Sequence, residues 1–241
     1  MLDLGCFFHG GARSVLAFAC LLADVSALHG ATITYVTAEG ASTSGNPVSA
    51  SAAFTTAEGS LLLVITDLLT DPKDVTQAVS ALDFVLSNGA TTGTLISSSA
   101  QEITVNKGGM YGLGSTVLTD WSLINSLDGG LELQDLGFAG PRHLIIGPPG
   151  PDGLYDKANG SIAGNGAHNS FLNQTAEYYL AVGGVTEATM ITSVKFSFGT
   201  TPGANTVAGM VASAERSSAG MLLVGSVLLG IWKSRKSLGP K

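Results

Sequence analysis

Turn-forming residues cut the middle of this chain into short runs, too often to leave room for long helices. The 241 residues include 32 glycines, many of them standing with Asn, Asp or Pro between stretches of Val, Ile, Leu, Thr and aromatic side chains. Residues 31–37 alternate with the period of a half-buried strand. Glu58-Gly59, set between residues 48–56 and 60–67, signals a hairpin. Asn88-Gly89, Lys107-Gly108-Gly109 and Asp128-Gly129-Gly130 signal further turns. Runs at 91–98, 101–106, 115–126, 131–136, 142–146, 174–182 and 190–198 bring the total to about ten strands. Asp71-Pro72-Lys73-Asp74 reads as the start of a short helix or turn carrying Val75, Val79 and Leu82. The pattern predicts an all-β fold over residues 31–200: one domain, a β-sandwich of jelly-roll-like outline.

The two ends differ in kind from this body. In residues 1–30, Arg13 precedes the apolar stretch 15–23, and small residues follow at Val25, Ser26 and Ala27. That order is the order of a secretory signal peptide. Both cysteines, Cys6 and Cys20, fall inside it, so the body is expected to carry no disulfide and no thiol chemistry. At the other end, a linker over 201–216 leads to a hydrophobic segment within 217–241. Its apolar residues are Met221, Leu222, Leu223, Val224, Val227, Leu228, Leu229, Ile231 and Trp232. As a helix, residues 219–232 would be about 21 Å long, short of the ~30 Å hydrocarbon core. Ser217, Ser218 and snorkelling cations would extend it to a marginal span. Lys233, Arg235 and Lys236 then act as the stop signal, hold that end in the cytoplasm and leave the body outside.

A signal peptide, a β-rich body of low charge, a short Gly/Leu-rich helix and a basic tail together resemble the bacterial PEP-CTERM surface proteins. In that family a Val-Pro-Glu-Pro motif precedes the helix. Here Ala214, Glu215 and Arg216 stand at the Pro-Glu-Pro positions, so Glu215 alone matches. The resemblance implies a protein sorted by the membrane transpeptidase exosortase at a site near Glu215. It also implies an inner-membrane stage through the C-terminal helix and an exopolysaccharide-producing host. It implies nothing about activity.

Charge narrows the partners. From Leu28 to Ala214, five bases stand against fifteen scattered acids, a net charge of −10 with neutral histidines. Such a body repels phosphate backbones, which argues against nucleic acid as a partner. Beyond the expected signal segment 1–30 only His143 and His168 are available, too few for a histidine-rich zinc site. His143, at the start of a strand, reads as structural. Gly160-Ser161-Ile162-Ala163-Gly164 misses the register of a nucleophile elbow, and nothing in the sequence pairs two carboxylates as glycoside hydrolysis requires. The chain is therefore read as non-enzymatic, with no obligatory cofactor. The long loop over 147–173 is the natural place for a site. It carries Asp152, Asp156 and Asn159, oxygen donors among glycines that would suit Ca2+, although their spacing is not that of a calcium loop. Trp121, Tyr111, Tyr155, Tyr178 and Tyr179 are the aromatic residues that would stack on sugars. The leading expectation is an exported structural or adhesive protein of the cell surface or extracellular matrix. The alternative is a secreted glycan- or calcium-binding module.

Overall fold

The computed structural model describes residues 31–125, 129–135, 141–201 and 203–212. Fourteen strands follow in chain order: β1 (Thr32–Thr37), β2 (Ser42–Thr43), β3 (Asn46–Pro47), β4 (Ala50–Ala57), β5 (Ser60–Asp67), β6 (Val79–Leu86) and β7 (Thr94–Val105). Then come β8 (Tyr111–Val117), β9 (Ser122–Asn125), β10 (Leu131–Gln134), β11 (Ile145–Ile146), β12 (Phe171–Ala181), β13 (Ile191–Phe198) and β14 (Thr206–Val211).

Eight strands close a barrel in the order β1-β4-β5-β12-β11-β6-β13-β14 and back to β1. Every neighbouring pair is antiparallel except β11 with β12. The closing strand is only two residues long. Ile145 pairs with Val79 on one side and Leu172 on the other, and Ile146 pairs with Asn173. Beyond this stave two ribbons extend the sheet, β7 and β8 from β12, and β10 and β9 from β6. The expectation of an all-β chain holds. A two-layer sandwich does not describe it, because β11 bridges β12 and β6 and carries the backbone ladder round the ring.

Period-two patterning fills the barrel. Ala50, Ala52 and Phe54 on β4, Leu61, Leu63 and Ile65 on β5, Leu82, Phe84 and Leu86 on β6, and Phe196 and Phe198 on β13 are all buried. Phe54 lies at the centre, with its ring 6.0 Å from Tyr35 and 5.4 Å from Phe84 between centroids. An eight-stranded barrel is just narrow enough for side chains to fill, and here they do. A second, smaller core lies outside the ring, where Val75, Ala78, Ile103, Val105, Leu144, Ile146, Tyr155, Ile162 and Phe171 pack together.

The strand directions give the barrel two poles. Both ends of the described chain lie at one pole, where β1 begins beside the end of β14 and the Ala212 amide donates to the Thr34 carbonyl at 2.8 Å. The turns at Gly59, Gly89 and Gly184 share that pole. The β2–β3 hairpin, the 68–78 segment and the loop between β11 and β12 occupy the other.

Two local expectations change. The short helix or turn expected after Asp71 is a single 3-10 turn, Val75–Gln77, closed by a capping box between Asp74 and Gln77, and it does not extend to Val79 and Leu82. Val79 and Leu82 belong instead to β6, a largely buried strand whose near-continuous apolar run imitates helical spacing. Residues 206–211, expected as linker, form β14 and complete the barrel. The signal segment 1–30, the motif residues Ala214, Glu215 and Arg216, the apolar run 219–232 and the cations Lys233, Arg235 and Lys236 lie outside the described residues. No helix among the described residues is long and apolar enough to cross a membrane.

Candidate functional site at the barrel seam

The loop from Gly147 to Ser170 is built into the molecule rather than laid over it. At Gly147 the backbone runs so close to Leu69 that a Cβ would sit 2.0 Å from the Leu69 carbonyl oxygen. The Tyr155 hydroxyl donates to the Gly147 carbonyl at 2.9 Å, and the Tyr155 amide donates to Gly109 at 2.9 Å. Asn169 bonds both backbone groups of Val105, accepting at 3.0 Å and donating at 3.1 Å. Asx turns at Asp152, Asn159 and Asn165 shape the remainder.

In this construction the three residues expected to hold calcium take different partners. Asn159 turns to the 3-10 turn and donates to the Asp74 carboxylate at 2.7 Å. Asp156 faces Asp71, whose carboxylate also meets the Lys157 ammonium at 3.1 Å. Asp152 is exposed, and its carboxylate accepts from the Leu154 amide. Burial opposes ionisation of Asp71. The hydrogen bonds from Asp156 and Lys157 and the Lys157 charge outweigh it and hold that carboxyl below its ordinary range. The hydrogen bond to Asp71, and then its charge, raise Asp156. Among the described residues no group of three or more His, Cys, Asp or Glu side chains is arranged to hold a metal ion.

A tighter polar cluster sits on the seam beside β11. His143 precedes β11, Ser170 precedes β12, Glu102 lies on β7, and Thr119 and Asp120 lie between β8 and β9. The His143 Nε2 is 3.1 Å from Glu102 Oε1, and its Nδ1 is 3.2 Å from the Thr119 carbonyl and 3.3 Å from Asp120 Oδ2. The Ser170 hydroxyl donates to the same Glu102 oxygen and lies 3.5 Å from Nε2. Serine, histidine and aspartate thus occur in the order of a hydrolytic triad. Glu102, however, accepts the Ser170 hydrogen bond and also meets His143 Nε2, the nitrogen that would have to take the proton of a nucleophile. The Ser170 hydrogen bond is the largest influence on Glu102 and lowers its carboxyl; burial opposes this and His143 adds to it. His143 and Asp120 both adopt left-handed backbone conformations, φ 54° and 59°. Such strain, about 1–3 kcal/mol per residue, persists where surrounding bonds over-determine the geometry. The Trp121 indole donates to the His143 carbonyl at 3.0 Å and anchors the same corner.

Two buried carboxyls lie near the ends of barrel strands. Burial, and then the charge of Asp120, push Asp135 up to about 8. Burial raises Asp67 well above its ordinary value, although the amides of Leu69 and Gly147 oppose it. One oxygen of each finds no hydrogen-bond partner among the described residues.

Of the five aromatic residues named for sugar stacking, Trp121, Tyr155 and Tyr178 are buried in the cores. Tyr179 and Tyr111 are exposed. Tyr179 lies in a groove of about 260 Å³ on the outer sheet face, with Leu62, Ser97, Ser99 and Glu177 around it. The seam cluster was not legible, because its residues come from four separate elements with no local spacing in common. Comparison with known protein families, with curated proteins and with solved structures finds no match for the chain.

Proposed function

We propose that this chain is an exported, non-enzymatic surface protein, a filled β-barrel held at the cell envelope through residues 219–232 and serving a structural or adhesive role. The observation that carries the reading is the shared exit of the two chain ends. Thr32 to Tyr35 run beside the end of β14, so whatever precedes residue 31 and follows residue 212 leaves from one pole. A tail anchored beyond residue 212 would put the membrane on the side of that pole and leave the 147–170 loop on the opposite side. The acidic body and the order of basic and apolar segments at both ends support export, and the PEP-CTERM-like layout supports sorting near Glu215. The test is intact mass and fractionation of the full chain in an exopolysaccharide-producing host, with and without exosortase. Loss of the tail near Glu215 only when exosortase is present supports sorting. Retention of Trp232 and the basic tail in the inner membrane supports anchoring alone, and a soluble intact chain sinks both.

A second reading, a glycan-binding module, rests on the Tyr179 groove. One exposed aromatic face with serine hydroxyls and a carboxylate beside it is the chemistry that meets the C–H face and hydroxyls of a pyranose. Titration with neutral oligosaccharides that is abolished by Tyr179→Ala would favour it. A calcium-dependent rise in melting temperature would instead favour a cation at the loop acids.

A further inference from the structure

Resting on the glycan-binding reading of the Tyr179 groove, we propose that this groove and a second hollow beside it form one cleft for a linear amino-sugar chain with free amines. The second hollow, of about 250 Å³, is lined by Leu95, Ile96, Leu118, Asp120 and Trp121. Ser97 and Ser98 line both hollows, so the two meet along that pair. Either alone is smaller than the ~300 Å³ at which ligand sites begin. Joined, they exceed it and run from Leu62 on β5 across β12 and β7 to the segment after β8. Two features of the fold build the second hollow. The pairing of β8 with β7 ends at Val117 opposite Ala100, which leaves residues 94–99 without a β8 partner. The Thr119 amide donates to the Ser98 hydroxyl at 3.1 Å and holds the departing chain beside them. The ladder between β12 and β7 also carries a bulge: Tyr179 faces Ser97 and Leu180 faces Leu95, so Ile96 has no opposite residue. A bulge re-aims the side chains around it. Here Ile96 and Ser97 are consecutive and both exposed, and Ile96 joins Tyr179 at the surface instead of entering the core.

The lining suits sugar rings. Tyr179, Ile96 and Leu118 are exposed apolar side chains, Leu118 as much as 68%. An aromatic face with aliphatic neighbours meets the C–H face of a pyranose, and the Ser97 and Ser99 hydroxyls stand beside it for the ring hydroxyls. Charge then chooses among sugars. Glu177 lines the first hollow and Asp120 the second, and no Lys, Arg or His lines either. Asp120 Oδ2 stands 3.3 Å from His143 Nδ1, yet its side chain remains 74% exposed. A uronic-acid or sulfated chain meets only like charge here. An ammonium-bearing sugar meets a carboxylate in each hollow, and the acidic body steers such a polymer towards the surface. One carboxylate per hollow suits a chain with amines on more than one residue.

Calorimetric titration of the full chain in detergent micelles tests this, with the tetramers of glucosamine, N-acetylglucosamine and galacturonate as probes. An exposed ion pair is worth about threefold in affinity, so two carboxylates should favour the glucosamine tetramer over the acetylated one by roughly tenfold. Galacturonate should not bind. Tyr179→Ala should abolish binding of both amino-sugar tetramers while the near-ultraviolet signal of Trp121 stays intact. Glu177→Gln and Asp120→Asn should each cut the preference by about threefold and leave the acetylated affinity unchanged. Asparagine also tolerates the left-handed backbone at position 120. Ile96→Ala should weaken the glucosamine tetramer and spare the disaccharide held at Tyr179. Glucosamine binding that survives Tyr179→Ala is charge attraction alone and overturns the proposal. A tetramer indifferent to Ile96→Ala, or equal affinity for the two amino-sugar tetramers, also overturns it. In those two cases loss of binding on Tyr179→Ala leaves the glycan-binding reading standing; if no tetramer binds, both fall.

Discussion

The seam cluster makes its demands residue by residue. Glu102 is the acceptor that His143 and Ser170 share. Glu102→Ala is expected to lower stability by about 1–3 kcal/mol, and Ser170→Ala by about 1 kcal/mol, in urea denaturation. The buried acids make stability depend on pH in two opposed ways. Glu102 and Asp71 have lowered folded-state values, so their contribution is present above the unfolded carboxylate range, near pH 4, and is lost as pH falls through the folded value. Asp135 and Asp67 are raised, so the folded state holds their protons more tightly. Their contribution is complete below about pH 4 and is lost as pH rises, for Asp135 through about 8. Thermal melts should therefore peak in mild acid, about pH 5, and decline towards pH 8. Asp135→Asn should flatten the alkaline decline and leave the acid limb unchanged. A melt profile unaltered by that substitution would show that the carboxyl at 135 ionises freely.

Among elements, β11 and the loop that follows it carry the closure. Gly147→Ala would force a Cβ onto the Leu69 carbonyl, a backbone atom that cannot swing aside. The expected loss is about 3 kcal/mol or more, read as a fall in the denaturation midpoint. Tyr155→Phe removes only the bond to Gly147 and should cost about 1 kcal/mol. How far these elements were legible follows from their patterning. β4, β5 and β12 alternate cleanly, or sit beside a plain turn such as Glu58-Gly59, and they fall close to where the sequence put them. β6 was obscured because it is buried along nearly its whole length, which erases period-two contrast. β14 was obscured because its Val207 and Gly209 follow a Gly/Thr/Pro/Asn stretch that reads as linker. β11 falls inside the run 142–146 that reads as a strand, but its double pairing is not legible, because it depends on two partners distant in sequence. The loop was found as the natural place for a site, but its acids were read as a group. In the fold, Asp71 and Asp74 from the preceding segment claim Asp156 and Asn159 separately.

For the whole molecule, the barrel is complete at Ala212, so the body should not need the tail in order to fold. A chain ending at 212 is expected to retain the near-ultraviolet signal and thermal transition of the full protein while losing membrane association on fractionation. If its cooperative transition disappears, residues beyond 212 contribute to the body. The pairing of Tyr35 with Val211 also has a kinetic meaning. The first stave of the ring waits for the last, so a chain delivered from its amino terminus onward keeps β1 half-paired until nearly the whole described length has arrived. Non-local closure of this kind is slow, and the interval leaves an open strand that a holdase can grip or a neighbour can capture. Maturation of this barrel is therefore an event that follows delivery, timed by its final strand rather than by its first.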